Sequence, residues 1–311
     1  MRKFLGVFLL LVLCAMASAQ ITDAEKTLRA KPVTDTINGW KTGGIVTMNL
    51  SQTSLKNWSA GGNNSIAGTG LISLFANHKS TKSSWDNNFD IGYGRLVQND
   101  QNNGRQSVKT DDRIDFNAKY GRQIVPNVFY AGFLSFKTQM AKGYAKPTDS
   151  IYISNFLSPA YIILAAGIDT KPAKDLGVFA APLTGRVTIV KDTSLSNKGA
   201  FGVPKGSHER YEFGGYVRVT YKIDLMQNVT LQAKADFFSN YLKHPLDIVT
   251  NSEFLLSMKV NKYIGATLGG TIIYDHAVRL PAPTASDPKR TLTKVQFKEL
   301  LGIGFSYKFK S

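Results

Sequence analysis

The stretch "RYEFGGYVRVTYKI", residues 210–223, alternates between two kinds of side chain. One set of alternate positions is apolar or aromatic: Tyr211, Phe213, Val217, Val219, Tyr221 and Ile223. The positions between them carry Glu212, Tyr216, Arg218, Thr220 and Lys222. Because successive Cβ atoms of a strand point to opposite faces, this pattern predicts a two-faced β-strand. We expect Val217 and Val219 to face lipid, and Arg218 to face a lumen that holds Glu253 or another carboxylate.

The same alternation recurs along the chain, for example in "VTLQAKADF" (229–237) and "FKELLGIGFSYKF" (297–309). Many of the segments exceed the five or six residues of a typical globular strand. Several match the ~9–11 residues that a tilted strand needs to cross a bilayer. The predicted strands are 43–51, 66–78, 84–97, 110–120, 127–140, 158–168, 176–190, 210–223, 228–239, 248–260, 264–277 and 296–309.

The connections between these segments alternate between long and short. The long ones are 52–65, 98–109, 141–157, 191–209, 240–247 and 278–295, and the short ones are 79–83, 121–126, 169–175, 224–227 and 261–263. Outer-membrane barrels have this arrangement, with short periplasmic turns and long extracellular loops. The sequence therefore predicts a single all-β domain, an antiparallel transmembrane β-barrel of about 12 strands. The alternative fold is a secreted soluble β-sandwich that acts as a binding protein, which alternation alone would also fit.

The first 20 residues, "MRKFLGVFLLLVLCAMASAQ", have the features of a secretory signal peptide. A basic start precedes a short apolar run and a small-residue cleavage site before Gln20. We predict a signal peptide at 1–19, a periplasmic leader at 20–42 and the barrel at 43–311, in the cell outer membrane. The single cysteine, Cys14, lies in the signal, so the mature chain is expected to form no disulfide.

The chain is strongly basic, with a formal net charge of +16, or +14 once Arg2 and Lys3 leave with the signal. A basic exported protein suits anionic surfaces. We therefore predict outer-membrane lipid and lipopolysaccharide as partners and no nucleic acid, which export separates from the protein. The C-terminal "GIGFSYKF" (302–309) has aromatic residues at alternate positions up to Phe309 and resembles the signal that barrel-assembly machinery recognises. That machinery is a further predicted partner.

Two segments carry a family resemblance: "GWKTGGIVTMNLSQTSLKNWSAGGNNSIAG" (39–68) and "NNFDIGYGRLVQND" (87–100). With the signal and the strand pattern, they make the chain resemble the DUF3078 family of exported proteins of Bacteroidota. The resemblance implies an outer-membrane β-barrel of unassigned role. It supplies no catalytic or ligand-binding residues.

No motif in the sequence predicts a cofactor or a metal site. The glycine-rich "WSAGGNNS" (58–65) lacks the lysine and following helix of a phosphate loop, so we interpret it as a turn with Trp58 on the loop or rim. The four histidines lack zinc-site spacing, and "DDRID" (111–115) does not fit an EF-hand loop. A lipid-modifying enzyme would need a nucleophile beside a histidine. His276, which follows Asp275, and "HKS" (78–80) are the nearest candidates, and neither lies in a nucleophile motif.

Charged residues on the polar strand faces are the candidate site residues. They could fill the lumen with cross-strand ion pairs or form charge rings along a solute path. The sequence therefore predicts a non-enzymatic outer-membrane protein, either a small-solute channel or a structural or assembly component. The lipid-modifying enzyme is the alternative function. The residues predicted to face the lumen are Asp86, Asp90, Asp115, Lys119, Lys137, Glu212, Arg218, Lys222, Lys234, Asp236, Glu253 and Lys259.

Overall fold

The computed structural model describes residues 38–54, 63–100, 104–145, 147–259, 264–281 and 291–310. Twelve antiparallel strands, each paired to its neighbours in sequence, form a closed barrel in which the last strand pairs with the first. The predicted twelve-stranded antiparallel barrel is therefore confirmed. Its strands are β1 (Gly39–Thr53), β2 (Asn64–Lys79), β3 (Ser83–Asp100), β4 (Gly104–Val125), β5 (Val128–Thr138), β6 (Ala160–Ala173), β7 (Leu176–Ile189), β8 (Glu209–Met226), β9 (Val229–Asn240), β10 (Val249–Lys259), β11 (Ile264–Tyr274) and β12 (Gln296–Lys310).

The alternation of each strand places apolar side chains on the outside of the ring. In β8, Val217 is 38% exposed on the outer face, whereas Tyr216 is 2% exposed on the inner face. Phe213 of the same strand is also exposed, and other strands repeat this outer apolar surface with exposed side chains at Val46, Met48, Leu50, Ile72, Leu164, Leu183, Phe297, Phe305 and Tyr307. The barrel is therefore apolar outside and polar inside, the reverse of a soluble globular domain.

The connections lie at two ends of the barrel, here called the turn end and the loop end. The turn end has the short links 80–82, 126–127, 174–175, 227–228 and 260–263, together with the start of β1 and the end of β12. The loop end has the three longest links of the ring, which are 139–159, 190–208 and 275–295. At the loop end, a five-residue helix α1 (Thr193–Asn197) begins at its N-cap residue Asp192. No helix in the described ranges is both long and apolar enough to span a membrane.

The predicted long loop at 98–109 is wrong. Strands β3 and β4 continue to Asp100 and from Gly104, so only residues 101–103 join them. Gln98 pairs with Gln106 in register and donates a side-chain hydrogen bond to it at 3.4 Å. This part of the hairpin is polar on both faces, so it has no hydrophobic alternation to reveal a strand. Gly104 has a positive φ of 68°, which glycine adopts without strain at a tight reversal.

A bulge in β7 changes which of its residues face the lumen. Ala181 pairs with Tyr216 and Thr184 pairs with Gly214, so two residues of β7 lie opposite one residue of β8. Pro182 lies in this bulge, where its missing N–H does not interrupt the ladder. As a result Phe179 and Arg186 both point inward although they are an odd number of residues apart. Gly167 of β6 packs so closely that an added Cβ would lie 2.0 Å from the Ala180 carbonyl oxygen.

The closing seam between β1 and β12 is the shortest ladder of the ring. It runs over six residue pairs, from Gly43 with Lys310 to Met48 with Phe305, whereas β1 pairs with β2 over fifteen. The last strand therefore closes the ring through the turn-end half of the seam.

We predict that replacing Val46 and Tyr307 by cysteine yields an intramolecular disulfide in the folded barrel. The two residues are directly opposite in register, and facing residues of antiparallel strands have Cα atoms about 4.5–5.5 Å apart, within disulfide range. The mature chain has no competing cysteine. Gel mobility of the oxidised and reduced double variant is the measurement. A control pair at Val46 and Phe297, about 33 Å apart along β12, should not cross-link. Equal cross-linking of both pairs would contradict the closure.

Candidate functional site

One ion pair crosses the lumen, and two others join neighbouring strands beside it. Lys137 on β5 has its Nζ 3.4 Å from an Asp115 carboxylate oxygen and 3.9 Å from Glu253 Oε1 on β10. Lys234 on β9 lies 2.9 Å from the same Glu253 oxygen. In the ring, β5 and β10 stand on nearly opposite walls. Lys137 therefore joins two walls of the barrel through its side chain.

Arg218 and Asp236 form a bidentate ion pair on the neighbouring strands β8 and β9. Their two hydrogen bonds measure 2.6 and 2.8 Å, and both side chains are largely buried. The expected partner Glu253 is bound by lysines instead, because Asp236 is the residue directly opposite Arg218 in register. The guanidinium carbon of Arg218 also lies 4.5 Å from the centre of the Phe133 ring. Arg218 thus links a polar layer of the lumen to an aromatic one.

The aromatic layer is an apolar cluster inside the barrel, which we call the inner cluster. Phe133 and Tyr216 stack with ring centres 5.9 Å apart, and Phe179 packs against both rings. The whole inner cluster contains Ala131, Phe133, Ala165, Phe179, Ala181, Tyr216 and Phe238, each less than 9% exposed. All of these residues lie on the neighbouring strands β5 to β9, so the inner cluster is an apolar region on one side of a mostly polar lumen.

A second charged network lies on the loop-end side of the inner cluster. Arg186 donates to Asp275 at 2.7 Å and approaches Glu212 at 3.4 Å. Arg210 lies 3.1 Å from Glu212 and 3.6 Å from Asp275. The guanidinium carbon of Arg186 lies 5.6 Å from the centre of the Phe238 ring. Arginines therefore cover the inner cluster on both sides.

The turn-end half of the lumen is an open cavity, which we call the turn-end chamber. Its cavity volume is about 240 Å³. Phe133 and Phe179 of the inner cluster line one side of it, and Lys171, Lys174 and Lys222 lie near the turns. Lys119 donates to Asp169 at 2.8 Å within its wall. The chamber is polar and charged, and it borders the inner cluster.

The predicted lumen residues lie at different heights of the barrel. Asp90, Asp115, Lys119, Arg218 and Lys234 line the turn-end chamber, and so do Asp86 and Lys222. Lys137, Asp236 and Glu253 form the mid-lumen ion pairs, and Glu212 belongs to the loop-side network. Lys259 is exposed at the end of β10. Trp58 lies outside the described residues.

Sequence reasoning missed several residues of the lumen. Asp169, Arg186 and Asp275 were not assigned to it, and the inner cluster was not recognised. The bulge at Pro182 breaks the alternation of β7, and Asp275 lies just beyond the last residue of β11. The one available signal was Pro182 itself, since a proline within a strand marks an edge or a bulge.

Asp192, which lies outside the ring of strands, connects two segments at the loop end of the barrel. Its carboxylate accepts hydrogen bonds from Tyr152 at 2.9 Å and Asn155 at 3.0 Å, and from the backbone of Leu195 at 3.2 Å. Burial raises the pKa of this carboxyl, but the hydrogen bonds outweigh that effect and hold the pKa below its ordinary value. Asp192 therefore joins the 139–159 loop to α1 as an anion at neutral pH.

The described residues contain no arrangement typical of a metal or hydrolase site. No group of three or more His, Cys, Asp or Glu side chains within them could hold a metal ion. His78 packs against Trp40 with ring centres 5.1 Å apart, and His208 Nδ1 lies 2.8 Å from the Val190 carbonyl oxygen. The ring centres of His244 and His276 lie 5.9 Å apart.

Comparison with known families gives one match. Residues 50–144 match a family described as "Protein of unknown function (DUF3078)". The predicted family resemblance is confirmed over this part of the chain, which includes β2, β3, β4 and β5. No curated protein matches the sequence.

Solved structures with a similar outline are bacterial outer-membrane proteins. An outer membrane channel from Pseudomonas putida F1 is 11% identical, with 90% of this chain and 100% of that chain covered and a TM-score of 0.40. The translocator domain of the autotransporter NalP from Neisseria meningitidis is 9% identical, with 92% of each chain covered and a TM-score of 0.38. The outer membrane phospholipase of Salmonella typhi is 12% identical, with 91% and 96% covered and a TM-score of 0.34.

We predict that Arg218→Ala destabilises the barrel by about 3–5 kcal/mol, because it leaves the Asp236 carboxylate buried without its arginine. Val217→Arg should cost ~2–4 kcal/mol if the outer face is in lipid, since the charge then enters hydrocarbon. Folding titrations in lipid vesicles measure both, with Val217→Ala as the control. The double change Arg218→Ala and Asp236→Ala should cost less than Arg218→Ala alone. If the double change cost more than Arg218→Ala alone, the ion-pair interpretation would be wrong.

Proposed function

We propose that this chain is an integral outer-membrane β-barrel whose lumen is held closed, and that it serves as a structural or assembly component of that membrane. The observation that carries the proposal is the contact of Lys137 with Glu253 on nearly opposite walls, next to the inner cluster. A channel that is permanently open needs a continuous polar path, and side chains from several strands occupy that path at mid-height.

The outer surface supports the membrane location. Exposed apolar side chains surround the outer face of the ring. At the turn end, a row of outward side chains crosses four neighbouring strands through the register pairs Trp40 with His78, His78 with Trp85, and Trp85 with Tyr120. Aromatic girdles of this kind are typical of the two interfaces of membrane barrels. This outer surface is therefore best suited to contact with lipid.

The energetics of the lumen support closure. Removing one member of a buried ion pair is costly, because the remaining charge stays desolvated. Arg218 with Asp236, and Lys137 and Lys234 with Glu253, hold side chains of β5, β8, β9 and β10 together. The stacked rings of Phe133 and Tyr216 add apolar contact between β5 and β8. These contacts make the closed lumen the low-energy state of the barrel.

A small-solute channel is the second candidate function, and the turn-end chamber favours it. A charged cavity behind a layer of side chains, instead of a polypeptide plug, could become a passage if that layer moved. A lipid-modifying enzyme has weaker support, because none of the four histidines hydrogen-bonds to a serine side chain in the described ranges. Lipopolysaccharide and the barrel-assembly machinery stay predicted partners, the latter through β12.

We predict that an epitope tag inserted between Lys198 and Gly199 is labelled by antibody on intact cells. The 190–208 link is among the longest, and long links of outer-membrane barrels face the cell exterior. A matched tag after Lys174, in a turn of two residues, should be labelled only after permeabilisation. Labelling of the second tag alone on intact cells would reverse the proposed orientation.

We predict that the wild-type barrel gives no steady conductance in planar bilayers, whereas the double change Phe133→Ala and Lys137→Ala gives channel events. The two changes remove the aromatic side chain of Phe133 from the inner cluster and the contact of Lys137 with Glu253 across the lumen. Leu134→Ala, on the outer face of the same strand, is the control and should stay silent. Steady conductance of the wild type would contradict the closed lumen. Silence of the double variant would contradict closure by these residues.

A further inference from the structure

Toward the loop end, the outer face of the β3–β4 hairpin changes from mostly apolar to basic. Beyond Tyr93, Arg95 lies directly opposite Lys109, and Arg105 follows on the same face of β4, opposite Asn99. We call Arg95, Arg105 and Lys109 the basic face. The outward residues nearer the turn end include the register pairs Trp85 with Tyr120, Phe89 with Phe116, and Ile91 with Ile114.

The basic face lies at the height of lipid headgroups. Arg95 is ten residues beyond Trp85 on β3, and Trp85 belongs to the aromatic row at the turn end. At about 3.4 Å per residue and a strand tilt of about 40°, this separation is about 26 Å along the membrane normal. The apolar band of outer-membrane barrels has a height of about 25 Å. Arg95 therefore lies just beyond the loop-end edge of the apolar band.

The carboxylate beside the basic face is already fully engaged. Asp112 lies 2.9 Å from Lys109 Nζ, and its side chain is 1% exposed. It also accepts hydrogen bonds from the backbone N–H groups of Met140 at 2.7 Å and Ala141 at 2.8 Å. Asp112 therefore neutralises Lys109 and holds the start of the 139–159 link, but it is not available to an arginine.

The two arginines keep their positive charge. Both are exposed, and neither Arg95 nor Arg105 forms an ion pair or a hydrogen bond with another described residue. Asp111 faces the lumen, where Lys298 lies 3.6 Å from it. The nearest other outward carboxylate on the described strands is Glu299 of β12, which is three strands from β3, or about 14 Å. Like charges directly opposite each other, as in the pair of Arg95 with Lys109, are destabilising, so an added anion would stabilise this face.

We propose that the basic face binds the phosphorylated headgroup of a lipid of the outer leaflet. The phosphates lie against Arg95 and Arg105, because the planar guanidinium group matches phosphate with paired N–H donors. The Cα atoms of these arginines are about 14 Å apart, which favours a headgroup with two phosphates. The acyl chains lie along the apolar outer face, which begins beside the arginines at Tyr93 and Ile66, 36% and 53% exposed. The inference rests on the proposed membrane barrel with its loop end outside, and not on its closed lumen.

The test uses the purified mature barrel in a neutral detergent, with a lipid A that carries two phosphates as the probe. Native mass spectrometry measures the fraction of barrels that retain the lipid across a titration. We expect lipid A to bind at least tenfold more tightly than phosphatidylcholine, whose headgroup has no net charge. Equal binding of the two lipids, or no retained lipid A, would overturn the proposal. Inorganic phosphate and hexaglutamate are added as competitors at the concentration of the lipid. Displacement by either would assign the basic face to a soluble phosphate or to an acidic protein instead.

Two double variants locate the site. Arg95→Gln with Arg105→Gln should weaken lipid A binding at least fivefold and leave phosphatidylcholine binding unchanged. The control is Lys82→Gln with Arg122→Gln, which removes the same charge from exposed residues at the turn end and should change neither. Equal weakening by both double variants would show a general attraction to a basic protein and contradict the site. Conductance and epitope labelling test the lumen and the orientation separately, so failure of lipid binding would not bear on them.

Discussion

The structure depends on one constraint, the neutralisation of charge inside a ring of strands. Each strand turns an apolar face outward, so its polar residues point into a shared interior. A buried charge is stable only when it is paired and hydrogen-bonded. Arg218 and Asp236 form such a pair between neighbouring strands, whereas Lys137 contacts Glu253 on the far wall of the lumen. The pairing between neighbouring strands stabilises the sheet, and the contact across the lumen joins two distant walls of the barrel.

The inner cluster lies between two charged regions of the barrel interior. Arg218 contacts Phe133 on one side, and Arg186 contacts Phe238 on the other. The apolar cluster therefore separates two charged regions, the turn-end chamber and the loop-side network of Arg186, Glu212 and Asp275. This separation supports the proposal that the lumen of the barrel is held closed.

Much of the fold could be predicted because lipid and lumen impose opposite demands on alternate residues. All twelve strands were located, and the inward side of Arg218, Asp236 and Glu253 followed from the alternation within their own strands. The prediction failed where both faces of a strand are polar and where a bulge interrupts the alternation. Residues 98–109 pair as a hairpin with no apolar face, and the bulge at Pro182 moves Arg186 onto the inner face.

The sequence by itself determined the number of strands, the faces of the strands without a bulge and the end at which each connection lies, because these depend on neighbouring residues along the chain. Only the tertiary structure decided which charges meet. Lys137 and Glu253 are far apart in sequence, and so are Arg186 and Asp275, and their contact depends on how the ring closes. Whether the lumen is open or filled is also decided only by the tertiary structure. It depends on the lengths and directions of side chains from opposite walls, which no local pattern in the sequence records.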